Sequence, residues 1–358
     1  MKKNFLFFIP LLAASSLFLG GCKSSNTKIR ITYGSPVYEE MVELTYSDFT
    51  QKMTNGENMI VATYDSEQSA TCGCWIYFQP ILNQYVNDHD TVIYKMDRLT
   101  VVKDTYGIIL PSGSDPTFFV TNKGEIAHQY VYNTTSANAE LFHSYDKFAD
   151  NLTSLTKEPQ IMLIDEEYLN KAIFEENRSD FIIYHGRSGC PDCGYCTPNV
   201  LEPYTRDNEL KNKIYMIDIE YLRGTDRYQP YKNKYQLSAY DFDDDGNEIE
   251  INPTYGYQQG VVPTFQYWKN GVLSDACVYF NDSYEKKNDK WTITDSYYTT
   301  ERVANLKYTS TVLLGNIIPD EEIQEIKYGE KNYYIWKQDE QAKIHNKLLT
   351  SFLDYYAK

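Results

Sequence analysis

The chain has 358 residues, a length that accommodates two domains with hydrophobic cores of their own. It carries 34 basic and 50 acidic side chains, which gives a formal charge of −16 at pH 7. Such an acidic surface repels nucleic acid and anionic lipid alike, so we expect no nucleic-acid partner and look to proteins and thiols instead.

The first 21 residues have the pattern of an export signal. Lys2 and Lys3 precede an apolar run over residues 5–19, and the segment ends in Leu19-Gly-Gly-Cys22. These last four residues resemble the lipobox of bacterial lipoproteins, which implies cleavage before Cys22 and a lipid on its thiol. An ordinary secretory signal or an N-terminal membrane helix is the alternative, but the run is short and Pro10 interrupts it. We therefore expect an extracytoplasmic protein that contacts the cell membrane through the lipid on Cys22.

Cleavage would remove two of the 34 basic residues and no acid, leaving 32 basic against 50 acidic side chains and a formal charge of −18. Residues 22–45 are polar and predict a lipidated tether. Thiols outside the cytoplasm tend to be oxidised, so the six remaining cysteines are expected to be disulfide or redox cysteines. They are Cys72, Cys74, Cys190, Cys193, Cys196 and Cys277.

Residues 46–156 predict a first α/β domain. A helix capped by Ser47 should end near residue 54, and apolar runs at 59–64 and 92–97 predict strands. Between those strands, Cys72-Gly-Cys74-Trp75 leads into a helical pattern. The stretch after Asp115-Pro116 predicts two strands around an Asn-Lys-Gly turn, and residues 136–152 predict a closing helix.

Residues 157–358 predict a second α/β domain. A helix over 165–174 and a buried strand over 181–184 lead to a Gly-containing turn, and Pro191 then opens a helix that ends near residue 206. Cys190 stands at the start of that helix, where unpaired N–H groups stabilise a thiolate, and Cys193 is one turn further on. A strand at 213–219, a hairpin from Pro263 and a last helix over 336–356 complete the domain.

The two cysteine-containing stretches resemble the thioredoxin family. In that family a C-x-x-C pair opens the first long helix, a proline follows five residues after the second cysteine, and a cis-proline strand faces the pair. Pro198 lies five residues after Cys193, and Pro263-Thr264 looks like the cis-proline step. The run from Phe181 to Cys193 is most similar to the thioredoxin-like bacteriocin-transport accessory proteins. The resemblance implies two domains, each with a central mixed β-sheet flanked by helices, and a redox pair at Cys190 and Cys193 with Pro263 beside it.

The landmarks repeat along the chain. Cys72 to Pro80 and Cys190 to Pro198 are both eight residues, as are Pro116 to Gly124 and Pro263 to Gly271. This repetition favours a duplicated thioredoxin-like unit. The second copy is longer, with insertions predicted at about 220–260 and 282–335.

The first copy departs from the family at the second cysteine. Trp75 occupies that position, and the nearest thiol, Cys74, makes a C-x-C pair with Cys72. A disulfide in so small a ring is strained and easily reduced. Two interpretations stay open: a second redox site formed by Cys72, Cys74 and Pro116, or a unit that has lost the chemistry and keeps a structural or binding role.

Three interpretations of Cys190, Cys193 and Cys196 compete. The redox hypothesis makes Cys190 the nucleophile and Cys193 the resolving thiol. A metal site would use the three thiols with Cys277 or His185 as the fourth ligand, but thiols on successive turns of one helix do not easily surround a tetrahedral ion. A permanent disulfide in an inert binding module is the third. Cys196, one turn beyond Cys193, could exchange with that thiol, pair with Cys277 or be a small buried residue, and the last is the default expectation.

Three neighbours of the pair bear on its chemistry. Tyr184 and His185 lie where many family members hold a buried acid that moves protons, and His185 is the candidate for that role. Gly189 replaces the usual aromatic residue before the first cysteine. Asp192 brings negative charge, which should disfavour the thiolate and favour reducing behaviour.

An acidic segment of the insertion has two interpretations. Asp241, Asp243 and Asp245 precede Gly246 with the spacing of the first half of a calcium loop, but the twelfth position is Asn252 and no glutamate is present there. An acidic hairpin turn at Asp245-Gly-Asn247 is the favoured alternative.

Taken together, the sequence predicts a lipid-anchored thiol–disulfide oxidoreductase that acts on exported proteins and needs no cofactor. The expected partners are thiols or disulfides of exported proteins and a separate redox protein that recycles the site. The alternative is a non-catalytic surface lipoprotein that binds a partner during bacteriocin export or immunity.

Overall fold

The computed structural model describes residues 27–237, 240–250, 262–279, 283–287, 290–295, 307–308, 317–318, 323–328, 331–336 and 338–358. The export signal over residues 1–21 and the lipidation site at Cys22 lie outside these residues and stay predictions. No helix in the described ranges is long and apolar enough to cross a bilayer.

The amino-terminal part of the described chain contains the short strands and helices of a first unit. In chain order the elements are β1 (Ile29–Arg30), β2 (Tyr33–Gly34), β3 (Val42–Glu43), α1 (Tyr46–Thr54), β4 (Ile60–Tyr64), α2 (Gly73–Asp88), β5 (Ile93–Asp97), β6 (Thr117–Asn122), β7 (Glu125–Val131) and α3 (Tyr145–Leu155). The cap of α1 is Thr45, which accepts the N–H of Asp48, and not the predicted Ser47 two residues further on, which lies inside the helix.

The remaining elements form the second unit and its additions. They are β8 (Thr156–Lys157), β9 (Ile161–Leu163), α4 (Glu166–Asn170), β10 (Phe181–Gly186), α5 (Pro191–Cys196), α6 (Glu202–Asp207), β11 (Ile214–Asp218), α7 (Tyr228–Lys234), β12 (Tyr240–Phe242), β13 (Glu248–Glu250), β14 (Thr264–Lys269), β15 (Val272–Val278), β16 (Ser283–Lys287), β17 (Lys290–Asp295), β18 (Ile317–Ile318), β19 (Ile323–Tyr328), β20 (Lys331–Trp336) and α8 (Gln338–Tyr356). A π-helical turn, Thr197–Leu201, joins α5 to α6.

Each unit is built on a mixed sheet with the same strand order. The first runs β3-β5-β4-β6-β7, and the second runs β9-β11-β10-β14-β15 with β2 added beyond β9. In both, the first three strands are parallel and the last two antiparallel. Both antiparallel hairpins turn at a glycine with positive φ, Gly124 and Gly271. The sequence interval that suggested duplication therefore marks the same turn in both units.

The predicted tether differs from the structure from Ile29 onward. β1 pairs with β8 and β2 pairs with β9 of the second unit, while β3 joins the sheet of the first unit. Ile29, Ile31 and Tyr33 are buried, which explains the difference because alternate apolar residues of a short strand fill a core even when their neighbours are polar.

One hydrophobic core runs between the two units. In β4, Ile60 and Ala62 pack with α2 and α3, whereas Val61 faces the other way, as successive side chains of a strand do. The cluster around Val61 contains Val200 and Leu201, which belong to the helical segment that follows the cysteines of the second unit. The first unit thus packs against the carboxyl-terminal half of the cysteine helix.

A cluster of buried polar side chains lies in the contact between the two units. The Tyr33 hydroxyl hydrogen-bonds the Glu202 carboxyl, and Lys52 forms an ion pair with Glu57 at 2.9 Å. The Lys52 ammonium also lies 5.2 Å from the ring centre of Tyr94. Burial and the nearby Glu57 raise the pKa of Glu202 to about 7.

Two predicted helices have a different form from the one expected. The closing helix predicted over 136–152 is a short 3₁₀ turn, Ala139–Phe142, followed by α3, because Ser144 caps a new helix. The helix predicted over 165–174 ends as a π-helical turn, Lys171–Glu175. Within the predicted insertions, the described residues add α7 and antiparallel pairs of strands.

Candidate active site

The cysteine helix starts where β10 ends. Cys190 is the N-cap of α5 and Pro191 occupies its first position, which suits proline because the first helical N–H has no partner in the helix. Gly189 leaves room for Glu220: a Cβ there would lie 3.0 Å from the carboxylate, and the Gly189 N–H donates to Glu220 Oε2 at 3.3 Å. The missing aromatic residue is thus explained by the carboxylate that takes its place.

The structure brings Cys190, Cys193 and Pro263 together, as the sequence predicts. The Val262–Pro263 peptide bond is cis and leads into β14. The Val262 carbonyl oxygen lies 3.5 Å from Cys190 Sγ, within hydrogen-bonding distance of the thiol. Cys190 is 6% exposed and Cys193 is 5% exposed, so a partner has to reach Cys190 through a narrow opening.

The two thiols differ in acidity. The Cys193 thiol donates to Cys190 Sγ, and with the backbone N–H groups of Cys193 and Asp192 this lowers the pKa of Cys190 to about 6. The same hydrogen bond, together with burial, raises the pKa of Cys193. Cys193 Sγ in turn accepts the Arg187 N–H at 3.3 Å. At neutral pH the pair therefore consists of one thiolate and one thiol.

The Asp192 carboxylate and the Cys190 thiolate repel each other, as the sequence predicts, but the hydrogen bonds to Cys190 Sγ outweigh this repulsion and the pKa of Cys190 is lowered. The Asp192 backbone N–H stabilises the Cys190 thiolate. Burial and the charge of Cys190 raise the pKa of the Asp192 carboxyl to about 6. The helix start therefore has more influence on Cys190 than the adjacent acid does.

The structure places Tyr184, and not His185, beside the thiols. The Tyr184 hydroxyl donates a hydrogen bond that lowers the pKa of Cys193, and it lies 2.9 Å from Thr197 Oγ1. His185 points to the opposite face of the sheet, where its ring nitrogens lie 3.1 Å from the Tyr231 hydroxyl and 3.0 Å from Gln266 Oε1. Burial lowers the pKa of His185 to about 4, so it stays neutral in the core. The candidate role given to His185 is thus corrected.

Cys196 and Cys277 lie deeper than the pair. Both are thiols outside the disulfide, and neither has exposed surface. Burial, and next the nearby Cys277, raise the pKa of Cys196. Both belong to the core that α8 covers, which agrees with the bland expectation of small buried residues.

In the first unit, Cys72 and Cys74 are joined by a disulfide with a Cα–Cα distance of 5.4 Å. Cys72 is the N-cap of α2, as Cys190 is of α5. Among the described peptide bonds, the cis bond before Pro263 has no counterpart at Pro116. Asp115 Oδ1 lies 3.4 Å from Cys74 Sγ. At the third member of the predicted second redox site, Pro116, the preceding residue Asp115 therefore brings a carboxylate to the sulfurs, and the peptide bond is not cis.

The acidic segment of the insertion forms the hairpin turn. β12 and β13 pair across it, and the Asp243 carboxylate accepts the N–H groups of Asp245 and Asn247. These bonds lower the pKa of Asp243, and Gly246 has positive φ. The segment that contains Asp241, Asp243 and Asp245 therefore adopts the hairpin that the sequence favours.

Sequence reasoning missed several residues around Cys190. Glu220 accepts the Gly189 N–H and lies 3.9 Å from Arg187 Nε, and the Val262 carbonyl contacts the thiol. Nothing in the sequence marks Glu220, which is 30 residues from Cys190. The position of Val262 before the predicted cis-proline is a signal that points to its carbonyl.

The sheet order, the cysteine at the start of a helix and the cis-proline opposite it define a protein of two thioredoxin-like units. No family model and no curated protein matches the chain. Among solved structures it is similar to a mutant thioredoxin from Halobacterium salinarum NRC-1, with 17% identity over 34% of this chain and 95% of that one and a TM-score of 0.26. Mitochondrial thioredoxin 3 from Saccharomyces cerevisiae has 14% identity over 32% of this chain and 95% of its own length, with a TM-score of 0.21. Human ERp44 has 12% identity over 53% of this chain and 45% of its own length, with a TM-score of 0.26.

Proposed function

We propose that the second unit is a thiol–disulfide oxidoreductase that acts on exported proteins, with Cys190 as nucleophile and Cys193 as resolving thiol. The observation that carries this proposal is the lowered pKa of Cys190, about 6, next to a protonated Cys193. A thiolate is the reactive form of cysteine, and the pair maintains it at neutral pH.

The reaction is a sequence of two exchanges. The Cys190 thiolate attacks one sulfur of a partner disulfide, forming a mixed disulfide and releasing the other sulfur as a thiolate. Cys193 then loses its proton and attacks Cys190 Sγ, which releases the second partner sulfur. The partner disulfide gains two electrons from the pair, one proton from Cys193 and a second proton from water, and Cys190 and Cys193 become a disulfide that a second redox partner reduces. Oxidation of partner dithiols runs through the same steps in reverse.

Tyr184 assists the second exchange. Once Cys190 is in the mixed disulfide, Cys193 no longer donates to a thiolate, so the main cause of its raised pKa is removed. The Tyr184 O–H still donates to Cys193 Sγ and stabilises the thiolate that attacks. Replacing Tyr184 with Phe should therefore slow resolution and let the mixed disulfide accumulate, with little change in the first attack.

The lowered pKa of Cys190 also bears on the direction of electron flow. Stabilising the thiolate favours the dithiol form of the pair, and so makes the disulfide a stronger oxidant than an unperturbed pair. This reverses the reducing tendency expected from Asp192. A measured reduction potential above that of thioredoxin, about −270 mV, would agree with it, and a lower value would contradict it.

Cys193→Ser tests the enzyme hypothesis. The variant should retain partners as mixed disulfides on Cys190 that a reductant releases, and Cys190→Ser should retain none. Cys196→Ala is the matched control, because this thiol lies one turn further along the same helix and should leave trapping unchanged. Failure of Cys193→Ser to trap any disulfide-linked partner would contradict the proposal.

We propose in addition that the mature chain is held at the outer face of the cell membrane by a lipid on Cys22. Metabolic labelling with a palmitate analogue should mark the chain, and Cys22→Ala should abolish the label.

A non-catalytic module that binds a partner in bacteriocin export or immunity is the second candidate function, supported by the closed disulfide in the first unit. It predicts partner capture that survives in Cys190→Ser.

A further inference from the structure

Two sulfurs and a carboxylate converge at the start of α2 in the first unit. Cys72 is the N-cap, Cys74 lies in the first turn, and the loop before β6 brings Asp115 to within 3.4 Å of Cys74 Sγ. The three potential ligand atoms lie within 4.8 Å of one another. Among the described His, Cys, Asp and Glu side chains, these three meet that closely.

When the disulfide is open, ionised thiols would concentrate negative charge in this cluster. Two thiolates and one carboxylate would bring three negative charges together, and within the described part of the chain Asp115 makes no ion pair with Lys, Arg or His. The start of α2 supplies only about half a positive charge. Either the thiols stay protonated or a divalent ion balances the charge.

The ligand types select a class of ion. Thiolate sulfur with one carboxylate oxygen suits zinc, whereas calcium and magnesium take oxygen ligands alone. Bonds of about 2.3 Å from one tetrahedral ion would place two sulfurs about 3.8 Å apart. That separation lies within the 4.8 Å span of the cluster, and the Cα atoms of the two cysteines are 5.4 Å apart.

We propose that reduced Cys72 and Cys74, together with Asp115, form a site for a thiophilic divalent ion such as Zn²⁺. Three protein ligands leave the fourth tetrahedral position to water. This site is separate from the chemistry proposed for Cys190 and Cys193. It gives the first unit a role in binding an ion, to which both cysteines of the C-x-C pair and Asp115 contribute ligands.

The oxidation state decides whether the ion binds. The disulfide joins both sulfurs and leaves neither as a thiolate ligand. A dithiol protein that reduces it supplies two electrons and two protons and is itself oxidised to a disulfide. Binding of the ion to the two thiols then releases both protons to water. A partner disulfide that accepts two electrons from the two thiolates, and two protons from water, becomes a dithiol, re-forms the Cys72–Cys74 bond and releases the ion.

The test uses the chain from residue 23 onward, made without the export signal, with Cys190→Ser and Cys193→Ser so that the other dithiol is absent. After reduction with a phosphine and removal of the reductant without oxygen, ZnCl₂ should bind at one ion per chain. The oxidised protein should bind none, and neither should the reduced protein that also carries Cys72→Ser and Cys74→Ser. Co²⁺ in place of Zn²⁺ should give thiolate-to-metal charge-transfer absorption.

The carboxylate is tested separately. Asp115→Asn should weaken binding by about tenfold or more, whereas Asp150→Asn, an exposed aspartate on α3, should leave it unchanged. Asp115→His supplies another zinc ligand and should restore binding, which separates loss of a ligand from loss of folding. Equal affinity in the Asp115→Asn and Asp150→Asn proteins, or no zinc bound by the reduced protein, would overturn the proposal. Because Cys190 and Cys193 are absent, its failure leaves the oxidoreductase proposal untouched.

Discussion

The two units place a cysteine at the same point of the same fold and give it different chemistry. Cys72 and Cys190 both cap the helix after the second strand of their unit. In the second unit the next thiol lies one full turn on and a cis-proline faces the pair, whereas in the first unit the next thiol is two residues on and Asp115 faces it. The comparison teaches that the scaffold provides a helix start that stabilises a thiolate, and that the residues around it decide the chemistry.

The strongest way to break the comparison is to remove each first cysteine. Cys190→Ser should reduce disulfide reduction by the chain to the uncatalysed background, because the thiolate nucleophile is lost. Cys72→Ala with Cys74→Ala should leave most of the activity. Insulin reduction with a dithiol donor measures both, and equal losses would mean that the units share the reaction.

The second way is to give the first unit the spacing of the second. Trp75→Cys with Cys74→Ala creates a C-x-x-C pair, but Trp75 is 3% exposed and stacks on Tyr64 with ring centres 5.3 Å apart. Losing the indole should lower the free energy of unfolding by about 3–5 kcal/mol. Denaturant unfolding measures this, with Tyr77→Cys on the exposed side of α2 as the control. A loss below about 1 kcal/mol would show that Trp75 does not fix the C-x-C spacing.

The third experiment measures the acidity of Cys190. Alkylation by iodoacetamide, followed by mass spectrometry of the Cys190 peptide, should be half-maximal near pH 6, because the thiolate reacts and its pKa is lowered to about 6. Cys193→Ala removes the thiol that donates to Cys190 and should move the midpoint upward, toward the ordinary cysteine value of about 8.5. An unchanged midpoint would assign the acidity to the helix start alone.

The fourth concerns the contact between the units. The pKa of Glu202 is about 7 in the folded chain against 4.5 ordinarily, so the folded state holds a proton that the unfolded state releases. This stabilisation is complete below about pH 4.5 and is lost as the pH rises through 7, with a slope of at most about 1.4 kcal/mol per pH unit. Glu202→Gln should flatten the decline in unfolding free energy between pH 5 and 8. A slope equal to that of the unsubstituted chain would contradict the assignment.

Much of the second unit could be predicted from its sequence. The apolar run before Cys190 and Pro191 carry local signals for a strand and a helix start, the resemblance to the thioredoxin family implies the cis bond before Pro263, and all three are present. The choice between Tyr184 and His185 could not be made, because neighbouring residues of a strand face opposite sides and both sides of this strand are buried.

Contacts distant in sequence were also beyond prediction. Tyr33 meets Glu202 across 169 residues, and Asp115 reaches Cys74 across 41. Neither pair has a local pattern, since a single tyrosine or carboxylate carries no sign of its partner. The short strands β1 and β2 were missed for a related reason: two-residue strands have no period to detect and acquire their structure from the sheets they join.

The strand β2 makes the two units difficult to separate. Residues 33–34 complete the outer edge of the second sheet before the chain has built the first unit. A fragment starting at residue 157 would leave the N–H and C=O groups of β9 open to pairing with other chains. The amino-terminal segment therefore covers the edge strand of the second sheet. Experiments that express the second unit alone should retain residues 27–36 together with it.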